Sequence, residues 1–263
     1  MLDEPYRWVE AMRNRWEYLE DQLKSASPVV STAYENGLLL LTTTPGPRKL
    51  FEIYNQVAFA AIGHPADIEK LRKAMIDIAH VEAFNFSARD VTLQRLVNFG
   101  IGPLMKMAFD EIFRSPYIAR VLVAELDALE SQETFYTIDA DGSFANSADG
   151  AAVAGISDRA EAAMAYQLTG GNGNGTPQNS RSLGQALQRS LEAWAVGRLS
   201  SDNFSGDEEG GEPQADQIEN CIRETLQHQR VEAAVLDRSL PTKTKFRLLS
   251  TDELDPVLAP YTS

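Results

Sequence analysis

The chain has 263 residues, 43% of them hydrophobic, which is enough to bury one large core or two small ones. Its formal net charge of −14 excludes an overall attraction to nucleic acid or to anionic lipid. The single cysteine, Cys221, excludes an internal disulfide, suits a reducing compartment and is interpreted as a small apolar side chain. The first twenty residues are rich in charge and lack the layout of a signal peptide or a membrane span. We therefore expect a soluble cytoplasmic protein that binds neither membrane nor nucleic acid.

The N-terminal region divides into a short tip and a helix. The tip is polar and contains a proline, so we expect it to be mobile. Apolar residues at helical spacing then predict a helix over Arg7–Leu23 with a narrow apolar stripe, which needs a partner surface. That surface is either the chain's own sheet or, in addition, a neighbouring subunit. The tip is Met1, Leu2, Asp3, Glu4, Pro5 and Tyr6, and the stripe is Trp8, Met12, Trp16, Leu19 and Leu23.

Two β-hairpins are predicted next, separated by the Pro-Gly-Pro break at residues 45–47. Asn36-Gly37 accepts the positive φ angles of a tight turn, and Asn55-Gln56 is the expected second turn. The strands flanking these turns are rich in leucine and β-branched residues. They are Val29–Tyr34, Leu38–Thr44, Lys49–Tyr54 and Val57–Ile62.

The rest of the chain alternates pairs of helices with groups of strands. Gly100–Pro103 interrupts one predicted helix, where the proline should cause a kink or a break. The acidic, glycine-rich stretch 200–214 should be disordered, and with the following residues it forms an insertion over about 200–229. Predicted helices are Ala66–Ala83, Asp90–Phe113, Asp158–Leu168, Ser180–Leu199, Gln217–Gln227 and Asp252–Leu258; predicted strands are Tyr117–Glu130, Glu133–Ile138, Ala151–Ile156, Val231–Leu236 and Lys245–Leu249.

This order of elements favours one α+β domain over residues 1–263. Helices that come in consecutive pairs, not one after each strand, argue against a doubly wound parallel sheet. Two antiparallel sheets packed face to face, with a helical layer outside each, fit the order better. The predicted architecture is therefore a four-layer α-β-β-α sandwich.

Four segments resemble, in the same order, parts of the proteasome α-type subunit, particularly its bacterial, actinobacterial-type form. They are Lys49–Tyr54 (KLFEIY), Ala58–Gly63 (AFAAIG), Ala88–Thr92 (ARDVT) and Val231–Asp237 (VEAAVLD). The resemblance covers about residues 5–170 and 230–250, and it rests on the collinear series because no single segment is diagnostic. It implies the sandwich fold of the N-terminal-nucleophile (Ntn) hydrolase superfamily. The proline at 103 departs from the family, whose corresponding helix is continuous.

The resemblance also implies a function. A chain of this kind is a non-catalytic subunit that forms a heptameric, homo-oligomeric ring and stacks on a ring of proteolytic β-type subunits. Residues 1–6 would then form the gate of the central pore, and the helix at 7–24 would make the ring contact through Trp8, Met12 and Trp16. A ring-shaped AAA+ ATPase would be a further partner, and no cofactor is expected.

Lys49 is the residue singled out by the resemblance. It aligns with the lysine that lines the pocket between neighbouring α-type subunits, where the C-terminal carboxylate of an activator docks. An ammonium at the rim of an apolar crevice suits the capture of such a carboxylate. From the sequence alone, a solvated lysine in a turn is the simpler interpretation.

Catalysis by this chain is not expected. Thr42, Thr43 and Thr44 form the only threonine cluster that could supply an N-terminal nucleophile. Leu41 precedes this cluster, whereas processing of the family's catalytic β-type subunits normally follows a glycine. Three scattered histidines, His64, His80 and His228, make no metal motif. Asp139–Ser143 is predicted to be a β-turn and not a calcium loop, and the glycine-rich stretch 169–176 a connector and not a phosphate loop. Two alternatives stay open: a self-processing threonine amidase or protease that exposes Thr42, and a stand-alone ring scaffold.

Overall fold

The computed structural model describes residues 4–111, 113–126, 133–147, 150–170, 180–202 and 213–262. In these ranges the strands form two five-stranded antiparallel sheets, with orders β10-β9-β2-β1-β8 and β3-β4-β5-β6-β7. The strands are β1 Val29–Tyr34, β2 Gly37–Thr44, β3 Leu50–Tyr54, β4 Val57–Gly63, β5 Ala119–Leu126, β6 Glu133–Ile138, β7 Phe144–Ser147, β8 Ala151–Ala154, β9 Arg230–Asp237 and β10 Phe246–Leu248. The helices are α1 Glu4–Leu23, α2 Pro65–Asn85, α3 Leu93–Leu96, a π-helix Val97–Ile101, α4 Gly102–Asp110, α5 Asp158–Thr169, α6 Leu183–Asp202, α7 Ala215–Leu226 and α8 Thr251–Thr262.

Strand β2 shows how the layers are held together. Its side chains alternate between two cores, as the two-residue period of a strand requires. Leu39 and Leu41 join a core shared with helices α5–α8, while Leu38 and Leu40 join the core between the two sheets. A third core lies between the other sheet and helices α2–α4, so the α+β class and the four-layer sandwich are confirmed.

The two predicted hairpins are present within one residue of their predicted limits. In the first, Gly37 has φ +148°, and a Cβ there would lie 1.9 Å from the carbonyl oxygen of Leu236. In the second, Asn55 adopts φ +32°, a conformation that asparagine tolerates better than most residues. Turn chemistry in the sequence was sufficient to place these four strands.

The irregularity predicted at Gly100–Pro103 is present, but the helix does not break. The chain stays helical from Leu93 to Asp110, and the π-helix comes immediately before α4, where Pro103 sits in the first turn. A π turn holds an extra residue, and the first turn of a helix tolerates a proline. The missing side chain of Gly100 also lets Ile78 of α2 approach, since a Cβ at that glycine would lie 3.0 Å from Ile78 Cδ1.

Three further differences concern segment limits. Helix α1 begins at Glu4, so the backbone of residues 4–6 is helical, while residues 1–3 of the predicted tip lie outside the described ranges. Strand β7 was not predicted because its residues are mostly exposed and show no alternation. The predicted insertion at 200–229 contains the end of α6 and helix α7, and residues 203–212 and 171–179 lie outside the described ranges. Within those ranges, no helix is long and apolar enough to cross a membrane.

A candidate docking pocket at the start of strand β3

The loop between β2 and β3 carries the chain from one sheet to the other and places Lys49. Thr44 shapes the loop, since its hydroxyl donates to the carbonyl of Pro47 at 2.8 Å and accepts from the backbone N–H of Gly46 at 3.2 Å. Glu232 of β9 then holds the start of β3. Its two carboxylate oxygens accept from the backbone N–H groups of Lys49 and Leu50, at 3.0 and 3.2 Å. Both sheets therefore fix the position of this lysine.

Lys49 lines a cavity of about 460 Å³ at this end of the sandwich. The walls come from the segment after α1, the β2–β3 loop and the first turn of α2. Phe51, Pro65 and Ile68 supply apolar surface, and Arg48 supplies a second cationic group. Such a mixture suits a chain end that carries apolar side chains and a carboxylate.

The ammonium of Lys49 has a single described hydrogen bond, from Nζ to the carbonyl oxygen of Thr43 at 3.3 Å. The pKa of Lys49 is lowered to about 8. Burial lowers the pKa most, Glu232 raises it, and Arg198 lowers it. Glu69, which also lines the cavity, is bonded to Arg72 of its own helix at 2.6 Å, and this bond lowers the pKa of Glu69. Among the described residues no carboxylate oxygen lies within 4 Å of the Lys49 ammonium, so an incoming carboxylate would be its first charged partner.

The threonines of β2 lie beside this pocket but are buried. Thr42, Thr43 and Thr44 are 0%, 1% and 1% exposed. The hydroxyl of Thr42 donates to the carbonyl of Pro28 at 2.7 Å, and that of Thr43 donates to Oε1 of Gln229 at 2.7 Å. Thr42 is also paired on both sides, with Val29 of β1 and Glu232 of β9. Cleavage before Thr42 would divide the central strand of its sheet.

The sequence matches the profile of the proteasome subunit family over residues 35–168. The chain belongs to the proteasome subunit family. Relatives named "Proteasome subunit alpha" extend the similarity over most of the chain. The one from Actinosynnema mirum is 28% identical over 244 residues, covering 92% of this chain and 82% of the relative. Those from Streptomyces scabiei and Frankia casuarinae are 25% and 29% identical, covering 95% and 72% of this chain and 89% and 75% of the relative.

Helix α1 of this proteasome-family chain packs on its own domain through Met12 and through residues of its C-terminal half. Leu19 is fully buried in a small core with Phe109 and Ala140, and the rings of Trp16 and Phe109 meet edge to face at 5.7 Å. Trp16 is still 36% exposed, Met12 is half-buried and Trp8 is 44% exposed. The structure thus divides the predicted stripe into an inner part that stabilises the domain and an outer part that is open to solvent.

Two of the three histidines have structural partners in this proteasome-family chain. Nδ1 of His64 accepts from the backbone N–H of Ala66 and caps α2, and His80 bonds to the carbonyl of Ile76 at 2.9 Å. His228 is exposed beside the end of α7. In the part of the chain that the structure describes, no group of three His, Cys, Asp or Glu side chains is placed to hold a metal ion.

Sequence reasoning missed two charged residues that organise the structure. Glu232 interrupts the apolar run of β9, and a charge in a buried strand is a signal that could have found it. Arg120 of β5 is 6% exposed and links the β6–β7 turn to helix α5, donating to Asp139 at 2.5 Å and to Glu161 at 3.0 Å. Desolvation raises the pKa of Asp139 and Glu161, while Arg120 opposes that rise. Partners this distant in sequence leave no local pattern.

Proposed function

We propose that this proteasome-family chain is a non-catalytic α-type subunit. It forms a homo-oligomeric, heptameric ring in the cytoplasm, and that ring stacks on a ring of proteolytic β-type subunits. Similarity to relatives named alpha over most of the chain supports the α-type assignment. One observation carries the non-catalytic assignment: the hydroxyls of Thr42–Thr44 are buried and hydrogen-bonded within a paired central strand, so none is placed as a nucleophile.

The outer part of helix α1 is proposed to contact the neighbouring subunit. Trp8 lies on the part of the helix that the chain's own core leaves exposed, while Met12 and Trp16 contact that core and remain partly exposed. Large exposed aromatic side chains of this kind are typical of interfaces. Residues 1–6 would then stand at the pore as its gate and restrict the access of substrate to the proteolytic ring.

The pocket at Lys49 is proposed to receive the C-terminal carboxylate of a ring-shaped AAA+ ATPase. The support is geometric: a cationic group without a carboxylate partner in the described chain lines, together with apolar side chains, a cavity of about 460 Å³. A charge-assisted hydrogen bond between the ammonium and a chain-terminal carboxylate would supply both affinity and orientation.

The catalytic assignment is tested by the intact mass of the purified chain. A non-catalytic subunit keeps the full-length mass after incubation with its β-type partner, whereas a self-processing enzyme loses the segment before Thr42. A truncated product that begins at Thr42 would contradict the proposal.

The gate assignment is tested by deleting residues 1–6. The assembled particle should then hydrolyse a short peptide faster without any activator, because the pore would no longer be restricted. A deletion limited to residues 1–3, which precede helix α1, separates an effect of the tip from an effect on the helix. Peptide hydrolysis that is unchanged in both deletions would remove the gate assignment.

A further inference from the structure

The seven lysines of the chain differ in how their ammonium groups are held. Lys24, Lys70 and Lys106 each pair with an aspartate three or four residues away, at 3.2, 3.1 and 2.6 Å. Lys73 and Lys243 are exposed, and Lys245 donates to the carbonyl of Leu240. Lys49 alone lies in a described cavity, with a backbone carbonyl as its described hydrogen-bond partner.

The acids that face Lys49 are already engaged. Glu232 of β9 accepts from two backbone N–H groups, and Glu69 of α2 pairs with Arg72. Burial therefore outweighs the attraction of Glu232 and lowers the pKa of Lys49 to about 8. At pH 7 such a group is neutral in roughly a tenth of molecules, against fewer than about one in a thousand for an ordinary lysine. A neutral amine can act as a nucleophile.

Lys49 and Arg48 both line this cavity, and Arg198 and Arg230 bond to the backbone beside it, although the chain as a whole carries −14. Arg48 is exposed and lines the cavity next to Lys49. Arg230 donates from Nη2 to the carbonyl of Gly46 on the β2–β3 loop at 3.1 Å, and Arg198 of α6 is close enough to lower the Lys49 pKa. Guanidinium groups bind phosphate well, so a small phosphate-bearing molecule would be held beside the amine.

We propose that Lys49 is an acyl-acceptor site, modified by a small acyl phosphate that binds in this pocket. The neutral amine of Lys49 attacks the acyl carbonyl carbon and forms a C–N bond. The bond between that carbon and the phosphate oxygen breaks, inorganic phosphate leaves with the bonding electrons, and the nitrogen loses one proton to phosphate or water. The product is a neutral amide, and the step needs no oxidant or reductant.

Acylation would also act on the proposed docking function, on which this consequence rests. The amide has no positive charge, so the pocket loses the group proposed to bind a C-terminal carboxylate. Modification would therefore uncouple the ring from its activator without changing the fold of the subunit.

The experiment uses the full chain as purified, incubated at pH 7.5 with acetyl phosphate and, separately, with an acetyl ester of N-hydroxysuccinimide, which carries no phosphate. Acetyl occupancy at each lysine is followed over time by peptide mass spectrometry. Lys49 should react about tenfold or more faster than Lys73 and Lys243, which serve as internal controls for ordinary exposed lysines. Arg48→Gln should slow the reaction of Lys49 with acetyl phosphate about threefold or more but leave its reaction with the ester unchanged, and inorganic phosphate should compete only with acetyl phosphate.

Two results would overturn the inference. If Lys49 reacts no faster than Lys73 with either reagent, it is not an acyl-acceptor site. If Lys49 reacts fast with both reagents and neither Arg48→Gln nor inorganic phosphate slows the acetyl phosphate reaction, the acyl phosphate assignment is wrong. Neither readout involves an activator, so a failure here is distinct from a failure of docking, which is measured by the binding of ATPase to unmodified protein.

Discussion

The two ends of the β2–β3 loop carry chemically active side chains but present them in opposite ways. At the end of β2, three threonine hydroxyls are buried and bonded to the chain itself. Five residues after Thr44, the Lys49 ammonium lines an open cavity with one carbonyl as its described partner. The first end stabilises the fold, and the second is available to a ligand.

This difference shows that residue type alone does not make a reactive site. Threonine is the nucleophile of the family's β-type members, yet here its hydroxyls complete a buried network that includes Ser27, which accepts from Trp194 Nε1 at 2.9 Å and bonds to Thr43 at 2.9 Å. Lysine is usually a solvated surface residue, yet here Lys49 is partly buried and the neighbouring Glu232 is already engaged by backbone N–H groups.

The largest effect is expected from truncating Trp194, which is buried in the same core as Leu39 and Leu41 of β2. Trp194→Ala should lower the free energy of unfolding by about 3–5 kcal/mol, because it leaves a cavity under β2 and removes the donor to Ser27. The urea midpoint at fixed protein concentration measures this. Trp194→Phe, which keeps most of the volume, should cost less, and a loss below about 1 kcal/mol for Trp194→Ala would contradict the packing account.

Lys49→Ala should weaken ATPase docking by about 10- to 100-fold, the equivalent of a charge-assisted hydrogen bond worth about 1.5–3 kcal/mol. Ring assembly should be unaffected, because the side chain of Lys49 contributes no charged contact within the described chain. Binding to the immobilised activator measures the change. Lys73→Ala, at an exposed site on α2, is the matched control, and equal binding by the wild-type chain and Lys49→Ala would exclude the pocket as the docking site.

Thr42→Val should lower the free energy of unfolding by about 1–3 kcal/mol, since it leaves the carbonyl of Pro28 without its donor in a buried site. Thr42→Ser keeps the hydroxyl donor and should lower the free energy of unfolding less than Thr42→Val does. Peptide hydrolysis per assembled particle should be the same for both variants and the wild-type chain. Loss of hydrolysis with Thr42→Val in a fully assembled particle would show that Thr42 takes part in catalysis.

The smallest expected effect is a pH dependence of docking. A carboxylate binds the charged form of Lys49, and that form disappears as the pH rises through about 8, so affinity should fall about tenfold per pH unit above 8. The Lys49→Arg variant keeps its positive charge over this pH range, so its affinity for the activator should not change with pH. A decline of equal size in both proteins would assign the pH dependence to another group.

The same group links stability to pH with a defined sign. The pKa of Lys49 is lower in the folded chain than its ordinary value of 10.5, so the unfolded chain binds more protons between about pH 8 and 10.5. The contribution of Lys49 to stability should therefore rise with pH in that window. Lys49→Met removes this contribution, and identical pH profiles of the urea midpoint for Lys49→Met and the wild-type chain would contradict the assigned burial.

The sequence predicted what local chemistry determines. The turn residues at 36–37 and 55–56 located β1–β4, and the burial of β2 on both faces follows from its leucine run. Lys49 was identified through the resemblance, but its environment was not, because Glu232 is 183 residues away and no local pattern pairs them. At the π-helix the sequence predicted only a kink or a break, since a proline signals a missing donor and not how the backbone accommodates it.

We propose that this chain is a binding and structural ring component and that a partner carries out the chemistry. Co-expression with a β-type subunit, followed by sizing and intact-mass analysis of each fraction, tests it most directly. We predict one large particle that contains both chains, with this chain at full length and all peptide hydrolysis abolished by removing the partner's terminal threonine. A solitary active chain that has been cut before Thr42 would contradict the account, and a ring that excludes the partner would indicate a stand-alone scaffold instead.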